Sequence, residues 1–103
     1  MIKVSVFYPN EKDKKFDMEY YCNTHIPMVQ KKLGAACKGL AVEKGLCGAE
    51  PGSPAIYIAM SHAYFDSIET FQTTFGPHAN AFMEDVPNYT DIQPMIQVSE
   101  VKI

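Results

Sequence analysis

Ala55-Ile56-Tyr57-Ile58-Ala59-Met60-Ser61-His62-Ala63-Tyr64-Phe65 runs without a break into Asp66-Ser67-Ile68-Glu69. The first part interleaves Ile56, Ile58 and Met60 with Tyr57 and Ala59, the spacing and composition of a strand. The second is a capping box: Asp66 opens a helix, and Glu69 stands three residues on to reach back. Downstream, Gly76-Pro77 interrupts that helix. Pro77 suits the first position of a new helical segment running to about Asp85. Pro87 to Asp91 reads as a loop, and Ile92 to Lys102 as a closing strand broken early by Pro94.

Upstream the same reading gives a turn-rich connection from Cys47 to Pro54 and a strand from Leu40 to Leu46. Before these lies a helix with Asp17 as N-cap and Gly34 as C-cap. Phe16 is placed to staple onto Tyr21. Glu19 in the first turn and Lys31 and Lys32 in the last match the helix dipole. Pro9 to Lys15 is a charged loop, and Ile2 to Tyr8 alternates as a strand. The order β-α-β-β-α-β predicts one α+β domain over residues 1–103. It is ferredoxin-like, an antiparallel sheet with both helices on one face.

The other face should then be polar, and it is not. Val4 and Val6 alternate with Phe7, and Ile56 and Ile58 with Tyr57 and Ala59, so both faces of the first and third strands carry apolar residues. A second copy of the sheet is the economical cover, which makes a two-fold homodimer the expected partner. Lys3, Ser5 and Ser61 leave a wetter, monomeric alternative open.

Composition narrows the function classes. The chain of 103 residues is 47% hydrophobic and 20% charged, with a formal charge of -3, an ordinary globular balance that gives no electrostatic reason to bind nucleic acid. Its nine basic residues are all lysines, so it has no guanidinium fork for phosphate or carboxylate. Cys22, Cys37 and Cys47 show neither a disulfide framework nor zinc spacing, and three free thiols fit a reducing cytoplasm. Met1 to Tyr8 reads as a strand rather than a leader. No apolar run approaches the roughly 20 residues of a membrane span.

Candidate chemistry centres on two histidines. Asp17, Tyr21 and His25 form one column at i, i+4 and i+8. His25 also falls within the apolar stripe Met18, Cys22, His25, Val29 and Leu33. Pro27, two residues on, leaves the carbonyl of Asn23 without its usual partner. That constellation suits a general acid or base, and equally a core histidine satisfied by one hydrogen bond. His78 follows Gly76-Pro77 in the first turn of a helical segment, either as a second site residue or as a surface histidine at a kink. Phe75 and Phe82 read as core that can also line a pocket. Tyr64 shares strand parity with His62. The three histidines lack ligand-like spacing, and neither a nucleophile elbow nor a phosphate loop is present.

Phe16-Asp17, Tyr20-Tyr21 and His25-Ile26-Pro27 are followed by Tyr64-Phe65-Asp66-Ser67 and Phe75-Gly76-Pro77-His78. Pro87-Asn88-Tyr89-Thr90-Asp91 and Gln93-Pro94 complete the series. In these blocks, spread in order over nearly the whole chain, the sequence resembles the EthD family, named for ethyl tert-butyl ether degradation. The resemblance implies a dimeric α/β barrel of ferredoxin-like protomers. Its superfamily contains quinol monooxygenases, muconolactone isomerases, polyketide cyclases and haem-dependent peroxidases. Many of these work in a pocket between sheet and helices without a cofactor.

The expectation is therefore a cofactor-independent enzyme acting on a small apolar organic molecule, with no bound metal. His25, His78 and Tyr21 are the catalytic candidates, and Asp17, Tyr64, Phe75, Phe82 and Tyr89 the substrate-binding ones. A non-catalytic ligand carrier serving an oxygenase is the rival, and haem binding a third class.

Overall fold

The strand read first, β3 (Tyr57–Phe65), is central in the structure, a computed structural model describing Met1 to Ile103. It pairs with β1 (Ile2–Pro9) on one side and β2 (Gly39–Lys44) on the other. With β4 (Met95–Glu100) beside β1, the sheet order is β2-β3-β1-β4, antiparallel throughout. The helices are α1 (Met18–Tyr20), α2 (Ile26–Leu33), α3 (Ile68–Phe75) and α4 (Ala79–Asp85). This is the α+β ferredoxin-like fold with two broken helical stretches in place of two continuous helices. No helix is long and apolar enough to cross a membrane.

Each break has a local cause. Between α1 and α2 the chain makes a π-helical turn, Tyr21–His25, with Ile26 N–H donating to the Tyr21 carbonyl. Pro27 lacks an N–H, and its ring would collide with the Asn23 carbonyl in a regular helix, so the backbone widens just ahead of it. Widening also turns the side chains. Cys22, expected inside, is exposed, while Tyr21, His25, Ile26 and Leu33 are buried. Gly76-Pro77-His78 forms a 3₁₀ turn between α3 and α4, as the Gly-Pro pair indicates. Gly34 ends α2 at φ 61, a conformation that a side chain would strain.

Other boundaries move by one to three residues. Ser67, not Asp66, caps α3: its hydroxyl accepts from the Thr70 N–H at 3.1 Å. β3 carries the chain through Phe65, so the extended cap conformation falls on Ser67. β4 begins at Met95 because Pro94 cannot donate to the ladder. Ile92 precedes the strand and is buried in the loop.

The register puts Val4, Val6, Tyr8, Ser61, Ala63 and Phe65 on the helix side. On the opposite face three rows cross the sheet. Met60, Phe7 and Met95 form the apolar one, which ends at Glu43 on β2, with Tyr57 packed on Phe7 at a centroid distance of 5.0 Å. His62, Ser5 and Gln97 form the next, where His62 lies 2.8 Å from the Ser5 hydroxyl and donates to Glu43 at 3.1 Å. Tyr64, Lys3 and Ser99 form the third. The face is thus apolar at one end and polar at the other, with no helix over it.

Because Ser67 makes the capping bond, Ser67→Ala should lower stability by about 1 kcal/mol. Asp66→Ala, at an exposed position, should change it by less than about 0.5 kcal/mol. Urea denaturation of the two variants separates the assignments.

Candidate functional site

The buried hydrophobic residues fall into two clusters. One is built from Tyr8, Tyr21, Ile26, Ala59, Tyr89 and Ile92, and the other from Ile2, Val4, Leu33, Phe65 and Phe82. Between them, under the helices, is a cavity of about 80 Å³ lined by 20 residues, 17 of them hydrophobic. That is several times the roughly 10–15 Å³ that admits one water. It is about half the roughly 150 Å³ of an engineered cavity that takes benzene, so an aromatic ligand must shift side chains at its edge. Met83 and Ile96 line it yet are 45% and 51% exposed, and there it reaches the surface.

His25 enters this space from the π-turn. Its ring is 6% exposed, stacked on Tyr21 at 5.4 Å and tilted against Tyr89 at 4.7 Å. Nδ1–H donates to Asp85 Oδ2 at 2.9 Å. Nε2 makes no hydrogen bond to the protein, and His25 is one of the residues that line the cavity. Asp85 is well supplied: Tyr20 donates to its other oxygen at 2.7 Å and Asn88 at 2.9 Å. The carboxylate therefore ties the first helical stretch to the end of the second, and it fixes the tautomer of the imidazole.

Burial is the stronger influence on His25 and lowers its pKa from 6.5, with Asp85 acting upward against it. Burial raises the Asp85 pKa, but the combined hydrogen bonds from Asn88, His25 and Tyr20 outweigh it and hold the group below 3.8. At neutral pH the site is an unprotonated imidazole beside a carboxylate, a base ready to accept at Nε2.

Around it stands a set of hydroxyls. Tyr8 and Tyr89 are 2.7 Å apart, oxygen to oxygen, and the Tyr21 ring packs edge-on against Tyr8 at 5.6 Å. Desolvation raises the pKa of Tyr8, Tyr21 and Tyr89, so all three keep their protons and remain donors. The loop carrying Tyr89 is clipped to the start of α1: Asp17 N–H donates to the Tyr89 carbonyl at 2.7 Å, and the Thr90 hydroxyl to the Lys15 carbonyl at 2.6 Å. Phe16 packs on Tyr21 at 5.1 Å, the expected staple.

The sequence-selected residues divide accordingly. His25, Tyr21, Tyr89, Phe75 and Phe82 all line the cavity. His78 does not join His25: the 3₁₀ turn holds it at the outer end of an aromatic row, 6.1 Å from Phe82. Asp17 spends its carboxylate on the helix cap, accepting from Tyr20 N–H at 3.0 Å, and does not orient the histidine. Tyr64 lies in the row with Lys3 on the face away from the helices, because its parity is that of His62 rather than Ser61. The orienting acid is Asp85, which sequence reading passed over. Its signal was an acid in the last turn of a helix, where the dipole disfavours it.

A model of the EthD domain family matches residues 10–93. Comparison with curated protein sequences returns no match. Among solved structures, an EthD-like protein from Ralstonia eutropha JMP134 is 44% identical over 99% of this chain and 92% of its own, with a TM-score of 0.93. An ethyl tert-butyl ether degradation family protein from Bacillus halodurans C-125 superposes at 0.68 with 19% identity over 98% of both chains. A dimeric protein of unknown function with a ferredoxin-like fold, from Bacteroides fragilis, superposes at 0.57 with 12% identity, over 97% of this chain and 95% of its own. The last two likenesses speak for the fold alone.

The pH dependence of stability follows from the two lowered pKa values. The unfolded chain takes up a proton at His25 near 6.5, before the folded state does, so stability is full above that pH and declines as pH falls through it. Asp85 adds a second decline below about 3.8. Chemical denaturation between pH 8 and 3 should show both. Asp85→Ala should cost roughly 1–3 kcal/mol at pH 7, because it strands the buried Nδ1–H. A pH-independent stability between 7 and 5 would contradict the buried neutral histidine.

Proposed function

The chain belongs to the EthD domain family, and from that membership and the chemistry of the cavity we propose a cofactor-independent enzyme for a small apolar organic molecule. The observation that carries the reading is one side chain with one committed edge: His25 gives Nδ1–H to Asp85, keeps Nε2 free of protein partners, and lines an apolar cavity. A neutral imidazole there accepts a proton from an acidic O–H or C–H of the bound molecule. The imidazolium so formed lies 2.9 Å from the Asp85 carboxylate, which stabilises the charge as it develops. One hydrogen of the linked Tyr8 and Tyr89 hydroxyls is spent within the pair, and the other donates to the oxyanion or enolate left on the substrate. A base and donors so placed serve isomerisation, cyclisation or the activation of an electron-rich ring for oxygenation, and fold likeness does not choose among them.

We further propose that the working unit is a homodimer joined through the open face of the sheet. The Met60, Phe7 and Met95 row supports this, as does the described dimeric state of the Bacteroides fragilis neighbour. Light scattering at micromolar concentration should give twice the 11.5 kDa chain mass, and Phe7→Glu should return the protein to a monomer. A wild-type monomer at that concentration would falsify the dimer.

For the chemistry, the protein should be incubated with phenols, quinones and lactones and the products analysed. His25→Gln should reduce turnover of any substrate found by roughly 10²–10⁴-fold while retaining binding. Equal turnover by the variant excludes His25 as the base. Thermal stabilisation by a compound that is never converted would instead favour a ligand carrier.

A further inference from the structure

The cavity is arranged with its polar groups deep and its opening apolar. Tyr8, Tyr21 and Tyr89 are each no more than 2% exposed and His25 is 6% exposed, whereas Met83 and Ile96 at the rim are 45% and 51% exposed. The tyrosine cluster supplies the hydroxyl end, the rim the apolar one, and an aromatic row from Phe65 through Phe71 and Phe75 to Phe82, with centroids 5.1 to 5.4 Å apart, adds apolar wall. A ligand that satisfies both ends has its polar atoms leading and its apolar body trailing.

The hydrogen-bond inventory specifies that leading end further. With Nδ1–H given to Asp85, Nε2 of His25 is an acceptor and calls for a donor on the ligand. Of the linked Tyr8 and Tyr89 hydroxyls, one hydrogen is spent within the pair and the other calls for an acceptor. A hydroxyl, or the enol form of a carbonyl, answers both with one oxygen. A carboxylate does not: it has no hydrogen for Nε2, no lysine lines the cavity, and Asp85 stands directly behind the histidine. An anion there is desolvated without a counter-charge.

We infer that the cavity takes uncharged molecules with one hydroxyl-bearing or enolisable end and an apolar body, bound with that end at His25 and the body directed to the Met83 and Ile96 rim. This deepens, and rests on, the reading of the cavity as the substrate pocket with His25 as its base. The test is titration calorimetry with 4-methyl-, 4-ethyl-, 4-propyl- and 4-butylphenol and with 4-butylbenzoate at pH 7, with the His25 ring resonances followed by NMR. Phenol affinity should rise about fourfold per added methylene. The benzoate should bind about a hundredfold more weakly or worse, and the phenols should shift the His25 signals.

Met83→Lys, at the rim, should flatten the chain-length dependence. A benzoate that binds as well as its phenol and moves His25, or a flat wild-type series, overturns the inference and leaves the pocket reading standing. Failure of every phenol to bind at millimolar concentration likewise overturns it, with the turnover comparison for His25→Gln deciding the pocket reading separately. Phenols that bind without touching His25 overturn both.

Discussion

Asp85 holds the site together because it answers three donors from two parts of the chain. Tyr20 and His25 reach it from the first helical stretch, and Asn88 from the turn after the second. A carboxylate in the last turn of α4 opposes the helix dipole, so its place there depends on those donors. In return it sets the tautomer of His25, pins the π-turn against α4 and keeps a charge at the edge of an otherwise apolar core. Each of these follows from its hydrogen bonds, the one from the neutral His25 being 2.9 Å long.

The π-turn and the cavity are linked by geometry. Pro27 requires the backbone to widen, and widening turns Tyr21 and His25 together into the interior while Cys22 rotates out. The core then closes as two clusters rather than one, leaving an unfilled space between them. A domain of this size has few interactions to spare, with 15 of 103 residues buried in the single chain. A cavity through its centre and a bare sheet face are both costs in stability. A second copy on the bare face offsets one of them, and a ligand in the cavity offsets the other by mass action.

Most of the fold was legible because periodicity and caps speak locally. The strand from Tyr57 to Phe65, the staple from Phe16 to Tyr21, the cap at Asp17 and the positive φ at Gly34 all follow from neighbours in sequence. The site was legible only in part. His25 stood out as a polar residue in an apolar stripe beside a proline, and Tyr21, Tyr89, Phe75 and Phe82 line the same cavity. Asp85, 60 residues away in sequence, could be paired with it only through tertiary contact. His78 looked equivalent to His25 by its own Gly-Pro break, but a 3₁₀ turn and a π-turn rotate their side chains differently. Tyr64 needed one fact that parity alone does not give, namely which face of β3 the helices cover.

The protonation pattern of His25 tests this account most directly. Long-range ¹H–¹⁵N correlation spectra at pH 7 should show a neutral ring with Nδ1 protonated and Nε2 bare, and Asp85→Asn should disturb that preference. A ring protonated at Nε2 alone, or on both nitrogens at pH 7, would contradict an imidazole held by Asp85 with its basic edge free of protein partners.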